Sequence, residues 1–323
     1  MKAIKRTLLI ASGFALVTLA AFAQTQPVIG LITKNETNPF FVKMREGADS
    51  ETKKLGAKLM TAAGASELDN AGQVAAIENM VSAGAKAILL TASDTKAIVP
   101  AIKKARDAGV LVIALDTPLE PQNATDALFA TDNFKAGVMI GEYAKAASAG
   151  KKVKIATLND GPGSSVGALR HDGFLKGFGA GAKDTRIVCE QPSYGDQTKG
   201  QTAMENCLQK DPDINVIYTV NEPTAAGAYQ ALKAAGKEKG VIIVSVDGGC
   251  AGVRNVKAGV INATAQQYPL HMAALGVKAG VDFAKTGKKV SGYTDTGVNL
   301  ISDKPQKGVK SKDTKYGLSA CWG

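Results

Sequence analysis

Aromatic side chains make up only 5% of the 323 residues, and the chain holds one tryptophan and two histidines. So few rings cannot build the stacking platforms on which single-stranded nucleic acids bind. No H-E-x-x-H pair, C-x-x-C spacing, Walker loop or EF-hand loop is present, so no metal or cofactor is expected. Beyond the first 23 residues, no apolar run approaches the roughly 20 residues that span a bilayer. What remains is 45% hydrophobic and 21% charged, a globular balance in a chain long enough for two domains.

The formal charge of +10 invites a nucleic-acid or membrane reading. Part of it belongs to the first 23 residues. Lys2, Lys5 and Arg6 precede an apolar stretch from Leu8 to Ala21, and Ala21-Phe22-Ala23 forms an A-x-A cleavage site. This is the pattern of an export signal, and cleavage after Ala23 leaves Gln24 first. The remaining lysines are dispersed through Ala-rich helical stretches, which argues against a nucleic-acid partner.

Four cysteines suit an oxidising compartment and allow three pairings. Cys189 and Cys207 fall on a strand end and the following helix, which favours 189–207 with 250–321. The second bridge would tie down Ser319-Ala320-Cys321-Trp322-Gly323. Four buried free thiols are the alternative.

From Gln26 onward, short Val/Ile-rich runs alternate with longer Ala/Lys-rich ones. Val28–Thr33, Ala87–Leu90, Val110–Leu115, Val153–Leu158, Arg186–Cys189, Val216–Val220 and Val241–Val246 read as strands. Phe41, Met44, Ala48 and Leu55 recur at helical spacing, and Gly56 ends that helix. The alternation predicts an α/β fold with parallel sheets covered on both faces. An internal repeat supports two such units. The run from Ala83 to Asp116 and the run from Pro212 to Asp247 each close a hydrophobic strand on a carboxylate. Strand ends of a parallel sheet open onto a crevice, so one ligand held between two lobes is expected.

The sharpest enzymatic signal is Gly163-Ser164-Ser165-Val166-Gly167, with Asp247 and His271 following in the order of an α/β-hydrolase triad. Asn159-Asp160-Gly161-Pro162-Gly163 stands between the preceding strand and the serine, too long for a strained elbow, and His271 falls in a helix. A secreted serine hydrolase using Ser165, Asp247 and His271 is the alternative reading. Gly161-x-Gly163-x-x-x-Gly167 only approximates a dinucleotide loop.

A different pattern joins Asn38, Asp116, Arg170, Asn221, Asp247 and Gln267, each beside a strand end or helix start. Carboxylates and amides match vicinal hydroxyls, and arginine adds a rigid fork of donors. Phe40 and Phe41 offer flat apolar faces to a sugar ring, with core packing as the alternative. For Asn38, Asp116 and Asp247 the alternative is helix capping. The matched places of Asp116 and Asp247 in the repeat favour a ligand.

Thr37-Asn38-Pro39-Phe40-Phe41, Ile113-Ala114-Leu115-Asp116, Ala130-Thr131-Asp132-Asn133, Arg170-His171-Asp172-Gly173-Phe174, Val220-Asn221-Glu222, Val246-Asp247-Gly248 and Ala265-Gln266-Gln267-Tyr268-Pro269 are similar to the ribose-type periplasmic sugar-binding proteins. Among those they most resemble the fructose-binding proteins of ABC importers. The resemblance implies a type I periplasmic binding protein fold, two Rossmann-like lobes joined by a three-strand hinge. It divides the chain into residues 24–130 with 268–297 and residues 131–267 with 298–323. Hinge crossings would fall near Ala130–Asn133, Gln266–Gln267 and Gly297–Asn299. It further implies a periplasmic monomer that binds a monosaccharide without catalysis and delivers it to an ABC permease. Asn38, Phe40, Phe41, Asp116, Thr117, Arg170, Tyr194, Asn221, Asp247 and Gln267 are the implied ligand contacts. Thr117 stands where ribose binders carry arginine, and Gly195 stands at the strictly aligned place of an aromatic. The lost arginine removes a bidentate donor and enlarges the cleft, which counts against ribose and leaves room for a ketohexose; fructose is the first expectation, with ribose or mannose next. Lys34 offers a replacement donor, or is a solvated strand-end lysine.

Overall fold

The structure is a computed structural model and describes residues 26–323. The export segment read from residues 1–23 lies outside them. The chain runs β1 (Val28–Thr33), α1 (Pro39–Leu55), β2 (Lys58–Ala63), α2 (Asn70–Ser82), β3 (Ala87–Leu90), α3 (Val99–Asp107), β4 (Leu111–Leu115) and β5 (Ala127–Ala130). It continues through α4 (Asn133–Ala147), β6 (Ile155–Asn159), α5 (Ser165–Phe178), β7 (Ile187–Pro192), α6 (Gln197–Lys210), β8 (Val216–Thr219) and α7 (Glu222–Ala234). It ends with β9 (Ile242–Asp247), α8 (Cys250–Lys257), β10 (Ala263–Gln266), α9 (Pro269–Thr286), β11 (Gly292–Asp295), β12 (Asn299–Ile301) and α10 (Thr314–Ala320).

Two six-stranded sheets result, ordered β11-β5-β4-β3-β1-β2 and β12-β10-β9-β8-β6-β7. Every pairing is parallel except β10 with β12. Strands β3 and β4 occupy the places in the first sheet that β8 and β9 occupy in the second, so the repeat seen in sequence is a repeat of position. The chain passes between sheets three times: from β5 to α4, from β10 to α9, and from β11 to β12.

Helices α1 and α9 cover one face of the first sheet, and α2 and α3 the other. Helices α4 and α5 cover one face of the second, with α6, α7 and α8 opposite. The α1 stripe shows the energetics. Phe41, Met44 and Ala48 are buried against the sheet, and a fully buried Phe or Met side chain contributes about 1.5–3 kcal/mol. Asn38 caps the helix start, Pro39 occupies its first turn, and Gly56 closes it in the left-handed conformation.

Helices α4 and α5 approach backbone to backbone. A methyl group on Gly137 would collide with the Arg170 carbonyl oxygen, and one on Gly173 with that of Phe134. The two bridges are Cys189–Cys207 and Cys250–Cys321. The first joins β7 to α6. The second joins α8 to the segment after α10.

Candidate functional site

The carboxyl ends of the strands in the two sheets face each other across a small buried chamber. From the first lobe it is walled by Lys34, Asn38, Phe40, Phe41, Glu67 and Asp116. From the second come Asp160, Val166, Arg170, Gly195, Val220, Asn221 and Asp247, with Gln267 at a crossing. Parallel strands put these residues together because each βα junction lies at the same edge of its sheet.

Arg170 sits at the centre. Its Nε donates to Asn133 Oδ1 at 2.8 Å and its Nη1 to the Val220 carbonyl at 3.0 Å. The guanidinium is thereby held 3.8 Å from Asp116 Oδ1 and 4.0 Å from Asp247 Oδ1. Both separations exceed a direct hydrogen bond, so donor capacity is left facing the chamber. Asn133 also donates to the Asp116 carbonyl, which couples the first crossing to the site.

Asp116 and Asp247 are equivalent in the two sheets and share a second property. Among the described residues, the non-glycine positions with positive φ are Asp116 at 62°, Tyr194 at 55° and Asp247 at 144°. Backbone strain of this kind costs on the order of 1–3 kcal/mol and clusters at functional sites. Burial pushes both aspartate carboxyls up, against the opposing pull of Arg170. Asp247 is no cap of its own helix. Its Oδ2 accepts from the Glu222 N–H in the first turn of α7, and its Oδ1 from Gln267 Nε2 at 2.8 Å. Glu222 itself accepts from the Gly248 and Gly249 amides and the Thr264 hydroxyl. On the chamber wall, two buried acceptors keep no hydrogen-bond partner in the protein, Asp116 Oδ1 and Gln267 Oε1.

Lys34 is 4% exposed, so it is no solvated strand-end lysine. Its ammonium lies 3.5 Å from Glu67 and 3.8 Å from Asp160. Burial alone would lower its pKa, but Asp160, Glu67 and Asp116 raise it overall. Burial pushes the Glu67 carboxyl up to about 7 despite Lys34 and the donated amides of Asn35 and Asn38. Behind Lys34, the buried Gln73 amide donates to the Thr33 and Thr91 carbonyls and ties the ends of β1 and β3 together.

Eight of the ten residues expected at the site are on the chamber wall. Asn38 and Asn221 are helix caps, accepting from the Phe40 and Thr224 amides, and they stand on the chamber wall as well. Phe40 and Phe41 meet edge to face at 5.5 Å and serve core and wall together. Two expected residues are elsewhere. Thr117 is fully buried and turns its hydroxyl to Asp116 Oδ2 at 3.2 Å. Tyr194 borders a neighbouring cleft of about 660 Å³, its ring covered by the Lys199 ammonium at 4.5 Å. Gly195, not the aromatic beside it, reaches the chamber. Sequence reasoning missed Glu67, Asp160 and Val166. Asp160 follows β6 as Asp116 follows β4, a signal that was available. Glu67 follows the edge strand β2, whose half-exposed residues carry no clear apolar run.

The residues of the hydrolase reading do not come together. Ser165 donates to the Pro118 carbonyl at 2.6 Å, Asp247 is engaged by Gln267 and Glu222, and His271 is exposed on α9. Among the described residues no cluster of three or more metal-ligating side chains occurs.

The sequence matches the model of the periplasmic binding protein domain over residues 29–289. It is 32% identical over 276 residues to a ribose import binding protein of Bacillus subtilis, covering 85% of this chain and 87% of that one. It is 28% identical to a D-allose-binding periplasmic protein of Escherichia coli, covering 85% and 89%. Among solved structures, it is similar to a periplasmic solute binding protein of Actinobacillus succinogenes with bound D-allose, at 28% identity and a TM-score of 0.77, covering 86% and 98%. A solute binding protein of Agrobacterium vitis with bound D-fucose aligns with a TM-score of 0.79 at 28% identity, covering 92% and 100%.

Proposed function

Because the chain belongs to the periplasmic binding protein family, we propose that it is the sugar receptor of an ABC importer. It takes a monosaccharide into the chamber between its lobes and presents the closed form to the permease. The protein acts in the periplasm, without catalysis, as a monomer. D-Fructose is the first candidate ligand, ahead of D-ribose, D-mannose and D-allose.

One observation carries this reading. Asp116 Oδ1 and Gln267 Oε1 are buried acceptors without hydrogen-bond partners, in a chamber that the Arg170 guanidinium and the Phe40 and Phe41 rings also line. A buried polar atom left unpaired costs about 1–3 kcal/mol, and a sugar's hydroxyls remove that cost while its C–H faces meet the rings. Asn38, Asp116, Arg170, Asn221, Asp247 and Gln267 are the proposed contacts, with Lys34 supplying the donor that Thr117 does not. The lobes contribute groups from opposite sides, so the full set is available only when they are shut, and the ligand favours closure by differential binding. A charge-mixed chamber with two cations and several carboxylates favours a neutral polyhydroxylated ligand over an acidic one.

Calorimetric titration with the four sugars tests the assignment. The expected result is one-to-one binding of at least one, with fructose the tightest. Heat with ribose or allose but none with fructose would reassign the ligand. No heat with any would overturn the sugar class.

A further inference from the structure

Trp322 is the chain's sole tryptophan, and it lies in an unexpected place. The segment that carries it belongs to the second lobe, where α10 packs on α8 and β12. Its ring nevertheless sits in the hydrophobic cluster of the first lobe, 5% exposed. There it meets the Phe40 ring edge to face at 5.6 Å, and its indole N–H donates to the Gln267 carbonyl at 2.7 Å. Both neighbours are chamber-wall residues, one on α1 and the other at a crossing. Two features fix the indole. Its carbonyl accepts from the Cys250 amide at 2.9 Å, next to the Cys250–Cys321 bridge. The ring lies over Gly249, where a methyl group would come within 3.3 Å of it.

We propose that Trp322 is a positioning residue for the ligand: held by the Cys250–Cys321 bridge, it sets the Phe40 ring and the Gln267 backbone in their closed-state places. The proposal rests on the sugar-binding reading of the chamber. Gln267 passes the constraint on, because its amide donates to Asp247 Oδ1 while its Oε1 is free for the ligand. Contact with both lobes means that Trp322 loses part of its surroundings whenever they part. It therefore weights the equilibrium toward the closed form without touching the sugar.

The test uses the whole protein and D-fructose, D-ribose, D-mannose and D-allose as probes. Trp322→Phe keeps a ring against Phe40 and removes the indole hydrogen bond, and a net hydrogen bond corresponds to about a fivefold change in the dissociation constant. Trp322→Ala removes both contacts and is expected to weaken binding by more than about tenfold. The double variant Cys250→Ser, Cys321→Ser keeps the indole but frees its tether, and falls between. The loss should appear mainly in the dissociation rate, because the ligand contacts themselves are unaltered. In the unaltered protein, the single-tryptophan emission is expected to shift on sugar addition, which reports that its surroundings change with closure, while the dissociation rates of the variants report the positioning role. If Trp322→Ala does not fold, Trp322→Phe and the double variant decide the matter. Unchanged dissociation constants and rates in folded variants, or emission indifferent to a sugar that calorimetry shows to bind, would overturn the positioning role and leave the receptor reading intact. Failure of the unaltered protein to bind any of the four would remove both.

Discussion

The backbone N–H and the hydroxyl of Thr95 both reach the carbonyl oxygen of Gly163, each at 3.1 Å, across the seam between the lobes. Beside them the Ser165 hydroxyl donates to the Pro118 carbonyl across the same seam. The glycine–serine motif that resembles a nucleophile elbow is thus part of a closure contact. Thr95→Val and Ser165→Ala each remove one hydroxyl bond available only when the lobes are shut. Each is expected to speed sugar release by about 2- to 10-fold, in line with a net hydrogen bond of about 0.5–1.5 kcal/mol. Stopped-flow dissociation checks this, and rates equal to those of the unaltered protein would mean that the seam contributes nothing to closure.

Asp116 and Asp247 flank Arg170 without forming close ion pairs with it. Replacing either by alanine leaves the buried guanidinium short of a counter-charge and removes an acceptor for the ligand. A loss of about 2–5 kcal/mol in binding is expected for each, which is at least tenfold in affinity. Asn replacements keep the shape and one acceptor, and should lose less. Calorimetry of the four variants gives the answer, and affinities within twofold of the original would remove these residues from the site.

Gly137→Ala places a methyl group against the carbonyl of Arg170 itself. Helix backbone cannot yield as a long side chain does, so α5 must shift away from α4. Overpacking of this kind costs about 1–3 kcal/mol, and because Asn133 and Arg170 sit on the two displaced helices, sugar affinity should fall together with stability. A urea titration and a binding isotherm measure both. Lost stability with unchanged affinity would show that Arg170 is placed independently of that packing.

Glu67 makes the fold pH-dependent. Its carboxyl, ordinarily near 4.5, is pushed up to about 7 by burial, so the folded protein binds that proton more tightly than the unfolded chain does. The resulting stabilisation is complete below about 4.5 and is lost as pH rises through about 7. Asp116 and Asp247 are displaced the same way, so their effect has the same sign. Resistance to urea should therefore increase as pH falls from 8 toward 5.5, and Glu67→Gln should flatten that trend. Parallel slopes in the two proteins would rule Glu67 out as the source.

Much of this candidate site is legible in the sequence. Strands β3, β4, β8 and β9 are continuous apolar runs because both faces of their sheets are covered, and the acids that close β4 and β9 stand out against them. Asn38 and Asn221 were legible as polar residues at βα junctions, where capping and ligand contact call for the same chemistry. Other features were not readable. The crossing-adjacent strands β11 and β12 are only four and three residues long, and exposed Gly-Tyr-Thr-Asp carries no apolar signal. Side-chain direction decided Thr117 and Tyr194: the positive φ of Asp116 and of Tyr194 turns the chain, and residue spacing does not encode that turn. The partnership of Lys34 with Asp160 is a contact between lobes, so it exists only in three dimensions.

The last strand of the first sheet has a consequence for how the molecule is made. Strand β5 acquires its outer partner only from residues 292–295, and the first core includes Met272, Ala273 and Val277 of α9. A chain synthesised from its amino end therefore carries an open sheet edge and an unfilled core until nearly all of the second lobe has been added. An incomplete core of this kind cannot lock early. Completion of the first lobe therefore waits for residues near the end of the chain, which suits a polypeptide that is to be threaded through a membrane before it folds.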